Sequence, residues 1–207
     1  MKQSKAKQTI ILTIMALCLV VFAVLAFATQ GNTPPADIVV FEDFILKMRS
    51  KPLTVFFKII TYLGEPVVLI LICALMFLFK DKKLGLFMSL NLVVSSIVGY
   101  LFKHVFRRAR PEYAMVQESS YSFPSMHAVV SVAVFGMLIY FAIKHLKNKP
   151  LKICLTILFS IIILLVCFSR LYLGVHYLTD VLAGMFLSTA ILTWTIYLQN
   201  HNKRHKK

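Results

Sequence analysis

Acidic side chains are scarce in this chain. Only 8 Asp and Glu stand against 23 Lys and Arg over 207 residues, a formal net charge of +15 at pH 7. So few carboxylates leave no cluster able to cage a divalent cation. Cysteine is also sparse: Cys18, Cys73, Cys154 and Cys167 all fall inside apolar runs. That excludes a disulfide framework and a zinc-type spacing, and reads as ordinary buried thiols. Charge of either sign makes up only 15% of the residues, against 59% hydrophobic, with a mean hydropathy of +0.79. These values lie outside the range of soluble domains and point to a polytopic membrane protein. In a soluble protein such a basic balance would suggest nucleic acid. Here it fits loops lying at an anionic membrane surface, and no nucleic-acid partner is expected. No internal repeat or low-complexity tract interrupts the single domain expected over residues 1–207.

What is present is a series of long apolar runs. A spanning helix needs about 20 mostly apolar residues, and six segments approach that length: 9–29, 60–79, 84–102, 126–143, 151–168 and 177–198. The expected fold is all-α, a polytopic bundle of six transmembrane helices with both termini cytoplasmic. Basic residues set that orientation. Lys2, Lys5 and Lys7, the KDKK at 80–83, KHLKNKPLK at 144–152 and NKRHKK at 202–207 all fall on one face, which should be cytoplasmic. The first segment also resembles a secretory signal, ending in AFAT at 26–29. Its apolar run is longer than a signal core, and retention as a helix is the expectation. Residues 30–59, with Pro34 and Pro35 followed by mixed charges, read as an external loop carrying a short interfacial amphipathic helix.

This topology brings three polar clusters to one membrane edge. KHVFRRARP (Lys103–Pro111) ends the third segment, FPSMH (Phe123–His127) begins the fourth, and SRLYLGVHYLTD (Ser169–Asp180) joins the fifth to the sixth. Lys103, Arg110 and Arg170 would supply cations, and a guanidinium fork suits paired phosphate oxygens. Ser125 reads as a helix N-cap, whose hydroxyl and neighbouring free N–H groups favour an anion. His176 precedes Asp180 by four residues, which on a helix puts both on one face. If Asp180 accepts the Nδ1 proton, Nε2 of His176 is free to attack phosphorus, and His127 could protonate the leaving oxygen. Each element also has a plainer reading. The Lys103–Arg110 cluster could touch lipid headgroups, Ser125 could only cap, and His176 with Asp180 could be a structural pair. Glu65, near the external end of the second segment, is assigned no role. An acid inside a span costs about 2.5 to 3.5 kcal/mol on insertion scales, so Asp180 is a functional candidate by default.

K-x6-R-P at Lys103–Pro111, P-S-x-H at Pro124–His127 and S-R-x5-H-x3-D at Ser169–Asp180 resemble the three-part signature of the type-2 phosphatidic acid phosphatases, membrane relatives of the vanadium haloperoxidases. Within that family the chain is similar to the bacterial phosphatidylglycerophosphatase B and undecaprenyl diphosphate phosphatase type. The resemblance implies a multi-pass lipid phosphatase of the cytoplasmic membrane, with its active site on the external side. It makes His176 the phosphohistidine nucleophile, Asp180 its orienting carboxylate and His127 the general acid. Lys103, Arg110, Ser125, Met126 and Arg170 would line the phosphate site, with no metal or cofactor. Met126 stands where the family usually has glycine, which should alter the pocket wall rather than the chemistry. The expected partners are a lipid phosphate and the surrounding lipids. Two other classes use similar residues: a lipid transporter or flippase that binds headgroups without chemistry, and a haloperoxidase that holds vanadate in the same cradle.

Overall fold

The computed structural model describes residues 2–31, 33–78 and 82–202, and among these every regular element is helical. Helix α1 (Lys2–Ala28) is followed by α2 (Pro35–Val39), a π turn (Val40–Ile45) and α3 (Leu46–Met48). Then come α4 (Lys51–Thr61), a 3₁₀ turn (Tyr62–Gly64) and α5 (Pro66–Met76). The long helices α6 (Lys82–Phe106), α7 (Met126–His145), α8 (Lys149–Tyr172) and α9 (Leu178–Asn202) complete the chain. Five helices are long and apolar enough to cross a bilayer unbroken: α1, α6, α7, α8 and α9.

The second expected span, 60–79, is not one helix. It is a bent pair, Lys51–Gly64 and Pro66–Met76, meeting at 47°. Pro66 has no N–H to continue a helical ladder, and its ring drives Glu65 into the extended region (φ −73°, ψ 140°). The apolar pattern of α4, within what was expected to be external loop, packs against α8 instead. There Phe57 meets Phe168 and Tyr172 at ring centroid distances of 5.3 and 4.6 Å. The break therefore turns the half-exposed Glu65 towards the start of α7.

Helix α7 occupies the centre. Its residues Ala128, Val129, Ala133 and Val134 are fully buried, and it packs on α6, α8 and α9. A helix apolar on every side must be enclosed by others. Asn91 of α6 donates to Ala133 O of α7 at 2.8 Å and accepts from Thr195 of α9 at 3.0 Å. Such a link between spans contributes roughly 0.6 kcal/mol. Helix α1 lies along α9 and buries Cys18, Phe22 and Ala26, one turn apart on one face. Phe22 stacks near Phe102 and Phe123, so the first helix is part of the bundle. Of the cysteines, Cys18, Cys73 and Cys167 are buried as expected, whereas Cys154 is exposed on the outer face of α8.

Between α8 and α9 the chain reverses at Gly174, whose φ of 68° is disfavoured for any residue with a Cβ. A Cβ there would also lie 2.5 Å from Arg49 Nη2 and 2.7 Å from Tyr113 O. The turn thus ends α8 sharply and returns the chain to the same end of the bundle, where α6 ends and α7 begins.

Candidate active site

Four helix ends and two connecting segments meet there. Helix α6 delivers Lys103 in its last turn, and α8 delivers Arg170 in its own. The 107–125 connection contributes Arg110, α7 starts at Met126 and His127, and α9 carries Asp180 in its first turn. Ser125 N donates to Asp180 O at 3.0 Å, which ties the start of α7 to that of α9. Ser125 does occupy the N-cap position, but its hydroxyl makes no capping bond. It is fully buried, and its Oγ has no partner among the described residues. A hydroxyl left in that state is a spare donor for a ligand.

His176 does not share a helix with Asp180, contrary to the spacing argument. It lies in the turn after Gly174, and α9 begins only at Leu178. Asp180 instead folds back over its own helix start, accepting from Tyr177 N at 2.9 Å, as the acid of a capping box does. This still leaves Asp180 Oδ2 facing His176 Nδ1 at 3.5 Å. On the other side of the ring Arg110 Nη1 is 3.2 Å from Nε2. A guanidinium only donates, so Nε2 accepts from Arg110 and the proton resides on Nδ1, which makes no hydrogen bond among the described residues but lies on the side facing Asp180. His176 is 2% exposed. Burial, then the positive charges of Arg110, Lys103 and Arg170, hold its pKa well below the ordinary imidazole range. Both effects disfavour the imidazolium, and the Nε2 atom faces the Arg110 guanidinium.

Those cations are not free. Lys103, 2% exposed, donates to Tyr121 O, and Arg170, 1% exposed, donates to Thr61 Oγ1 at 2.7 Å and to Glu118. Glu118 also lies 3.6 Å from Arg110 Nη2. A carboxylate bridging two guanidiniums occupies the place that phosphate oxygens favour. His127 Nε2 faces Glu65 Oε1 at 3.2 Å across the bend of the second span. The approach is close: a Cβ at Gly64 would lie 2.9 Å from His127 Cδ2. Arg108, which the sequence left at the lipid headgroups, is turned inward between Asp37 and Asp180.

A cavity of about 720 Å³ opens on these groups. Lys103, Arg110, His127 and His176 line its inner end, while Ile70 of α5 and Val93, Ile97 and Leu101 of α6 line an apolar flank. Met126 forms part of the wall, with its sulfur 2.8 Å from the point where a Cβ on Gly99 would stand. A polar end joined to an apolar channel accommodates an amphiphile with an anionic head. Among the described residues no group of three or more His, Cys, Asp or Glu side chains comes together as a metal site.

Residues 84–204, most of this chain and all three clusters, match the family described as the PAP2 superfamily. The chain belongs to the PAP2 superfamily. Among curated PAP2 relatives, phosphatidylglycerophosphatase B of Bacillus subtilis is 35% identical over 176 residues, covering 80% of this chain and 85% of that protein. An undecaprenyl-diphosphatase of Sulfolobus acidocaldarius is 30% identical, covering 66% of each. The crystal structure of a transmembrane PAP2-type phosphatidylglycerolphosphate phosphatase from Bacillus subtilis superposes with a TM-score of 0.83 at 31% identity. It covers 92% of this chain and 98% of that one. The PAP2 fold therefore extends over nearly the whole molecule.

The sequence singled out eight of the residues gathered here and passed over four. Arg108, Asp37, Glu65 and Glu118 were not assigned. The available signal was scarcity itself: in a chain with 8 acidic residues, each acid beside an apolar run needs a partner.

Proposed function

We propose that this PAP2 protein hydrolyses the terminal phosphate of lipid phosphates or diphosphates through a phosphohistidine. The observation that carries the proposal is a buried His176 whose Nε2 faces Arg110 at 3.2 Å, at the inner end of an apolar channel. Arg110, Lys103, Arg170 and the spare Ser125 hydroxyl are the donors for the phosphoryl oxygens, and phosphate replaces the Glu118 carboxylate on the arginines. Nε2 attacks phosphorus as the bond to the leaving oxygen breaks, and His127 gives that oxygen its proton. Water then attacks the phosphohistidine, returning a proton to His127 and releasing inorganic phosphate and a free Nε2. Cationic donors fixed around the equatorial oxygens stabilise the charge that spreads there in the transition state. Asp180 holds the Nδ1 proton side of the ring.

The apolar flank between α5 and α6 suits a lipid entering sideways from the bilayer. The lysines at 82–83 and 144–152, at the opposite end of the helices from the site, support cytoplasmic termini and an external active site in the cell membrane. On that side undecaprenyl diphosphate needs no flipping step, and the curated relatives are named for this substrate and for phosphatidylglycerophosphate.

The test is phosphate release by the purified chain from both lipids, in excess EDTA. The expected result is full activity with the chelator and a loss of about three orders of magnitude or more in His176→Ala. Normal release by that variant would remove the phosphohistidine step. Lipid movement without phosphate release would identify a transporter.

A further inference from the structure

Arg108 sits between two fully buried carboxylates. Its Nη1 donates to Asp180 Oδ1 at 2.6 Å and to Thr179 Oγ1 at 2.7 Å, and its Nη2 donates to Asp37 Oδ2 at 2.8 Å. Asp37, from the short helix α2, also accepts from Thr179 N at 2.9 Å and from Thr179 Oγ1 at 2.5 Å. The Arg108 guanidinium lies over the ring of Tyr177, 4.3 Å from its centroid. Both arms of the Arg108 fork are thus held, while its outer side borders a cavity lined by Thr29, Gln30 and Tyr177. Asp180, the carboxylate opposite His176 Nδ1, is fixed through Oδ1 by a cation whose other arm is anchored 71 residues earlier in the chain.

We infer that Arg108 and Asp37 are positioning residues of the catalytic centre: the Asp37–Arg108–Asp180 relay sets the orientation and effective charge of the carboxylate behind His176. This rests on the phosphatase reading above and adds two residues to it. A lone Asp180 would present a full negative charge to the Nδ1 side and favour the imidazolium, which cannot attack. Arg108 offsets that charge, and Asp37 in turn limits how strongly Arg108 does so. Five other groups surround His176 or act on it: Lys103 from α6, Arg110 and Glu118 from the 107–125 connection, His127 from α7 and Arg170 from α8. None of them contacts Asp37, so the relay is a separate input to the same ring.

The two ends of the relay carry opposite charge, so they have opposite effects on the acid limb of activity. Full-length protein in detergent is assayed for phosphate release from undecaprenyl diphosphate, with kcat and KM measured across roughly pH 3 to 9 so that the acid limb lies within the range. Removing the cation in Arg108→Gln should move the acid limb of kcat/KM to higher pH, by roughly half a unit to one unit. Removing the anion in Asp37→Asn should move it to lower pH by a similar amount. In both, kcat should fall roughly tenfold while KM stays within about twofold. Substrate ionisation is common to all variants and cancels in the comparison. A merely structural role would lower activity without separating the limbs. Arg108→Lys keeps the charge but not the fork, and should keep the wild-type limb with kcat reduced roughly three- to tenfold.

Limbs that coincide with wild type in folded Arg108→Gln and Asp37→Asn would overturn the inference. If those two fail to fold, wild-type kcat in Arg108→Lys would overturn it. Absence of phosphate release from the wild type would instead remove the phosphatase reading itself.

Discussion

At the scale of single residues, one carboxylate bridges the two arginines proposed to bind phosphate. Glu118 pairs with Arg170 and lies 3.6 Å from Arg110, so on the proposed phosphatase reading an entering phosphate exchanges with its carboxylate on the same cations. Glu118→Gln removes the competing charge and keeps the shape. The expected outcome is inhibition by inorganic phosphate at roughly three- to tenfold lower concentration, read from the assay of phosphate-free product. Unchanged or weaker inhibition would mean that Glu118 holds the cations in place rather than competing for them. The motifs made His176, Asp180, His127 and the cations legible as one cluster, because each is an anomaly inside an apolar context. Glu118 lies in an irregular connection and Asp37 in a helix of five residues, too short for a period to relate either to its partner.

At the scale of elements, the bend in the second span decides how His127 is presented. Had 60–79 been one helix, its turns would have run past the start of α7. Instead Pro66 breaks the ladder, the chain narrows to Gly64, and Glu65 reaches His127. Adding a methyl group at Gly64 would place it 2.9 Å from His127 Cδ2 and 2.8 Å from Val166 Cγ1. Both neighbours belong to packed helices and have little freedom to retreat. Gly64→Ala should therefore lower kcat by about tenfold or more, with a fall in melting temperature of only a few degrees. Melting temperature and kcat measured on the same preparation check this, and a variant with wild-type kcat would show that His127 tolerates displacement. The helix ends themselves were close to what hydropathy indicates. The broken span was not, because average hydropathy does not register one proline in an apolar run.

On the scale of the whole molecule, burying His176 couples activity to stability. Its pKa is held well below the ordinary value of 6.5 by burial and by three cations. In the unfolded chain the same imidazole binds a proton at the ordinary pH. Between the two values the unfolded state therefore carries more protons, and stability falls as pH drops below about 6.5. Above that pH the ring is neutral in both states and contributes no slope. The melting temperature in detergent should thus be level from about pH 8 to 7 and decline towards pH 5. In His176→Ala the acid decline should be shallower. An identical decline in the variant would mean that other groups carry the acid sensitivity.

Composition pointed to a membrane protein, with 59% hydrophobic residues against 15% charged, and apolar runs of about 20 residues made its spans helical. The spacing within three short motifs pointed to phosphate chemistry, since those residue types are too costly in a bilayer to be incidental. Only the tertiary structure decided which side chains complete the cluster. Asp37 and Arg108 are 71 residues apart, and Glu65 and His127 are 62 apart. Contacts at such separations depend on how helices pack and where one of them breaks. Packing is a property of surfaces brought together, and a linear pattern records each surface without recording its partner.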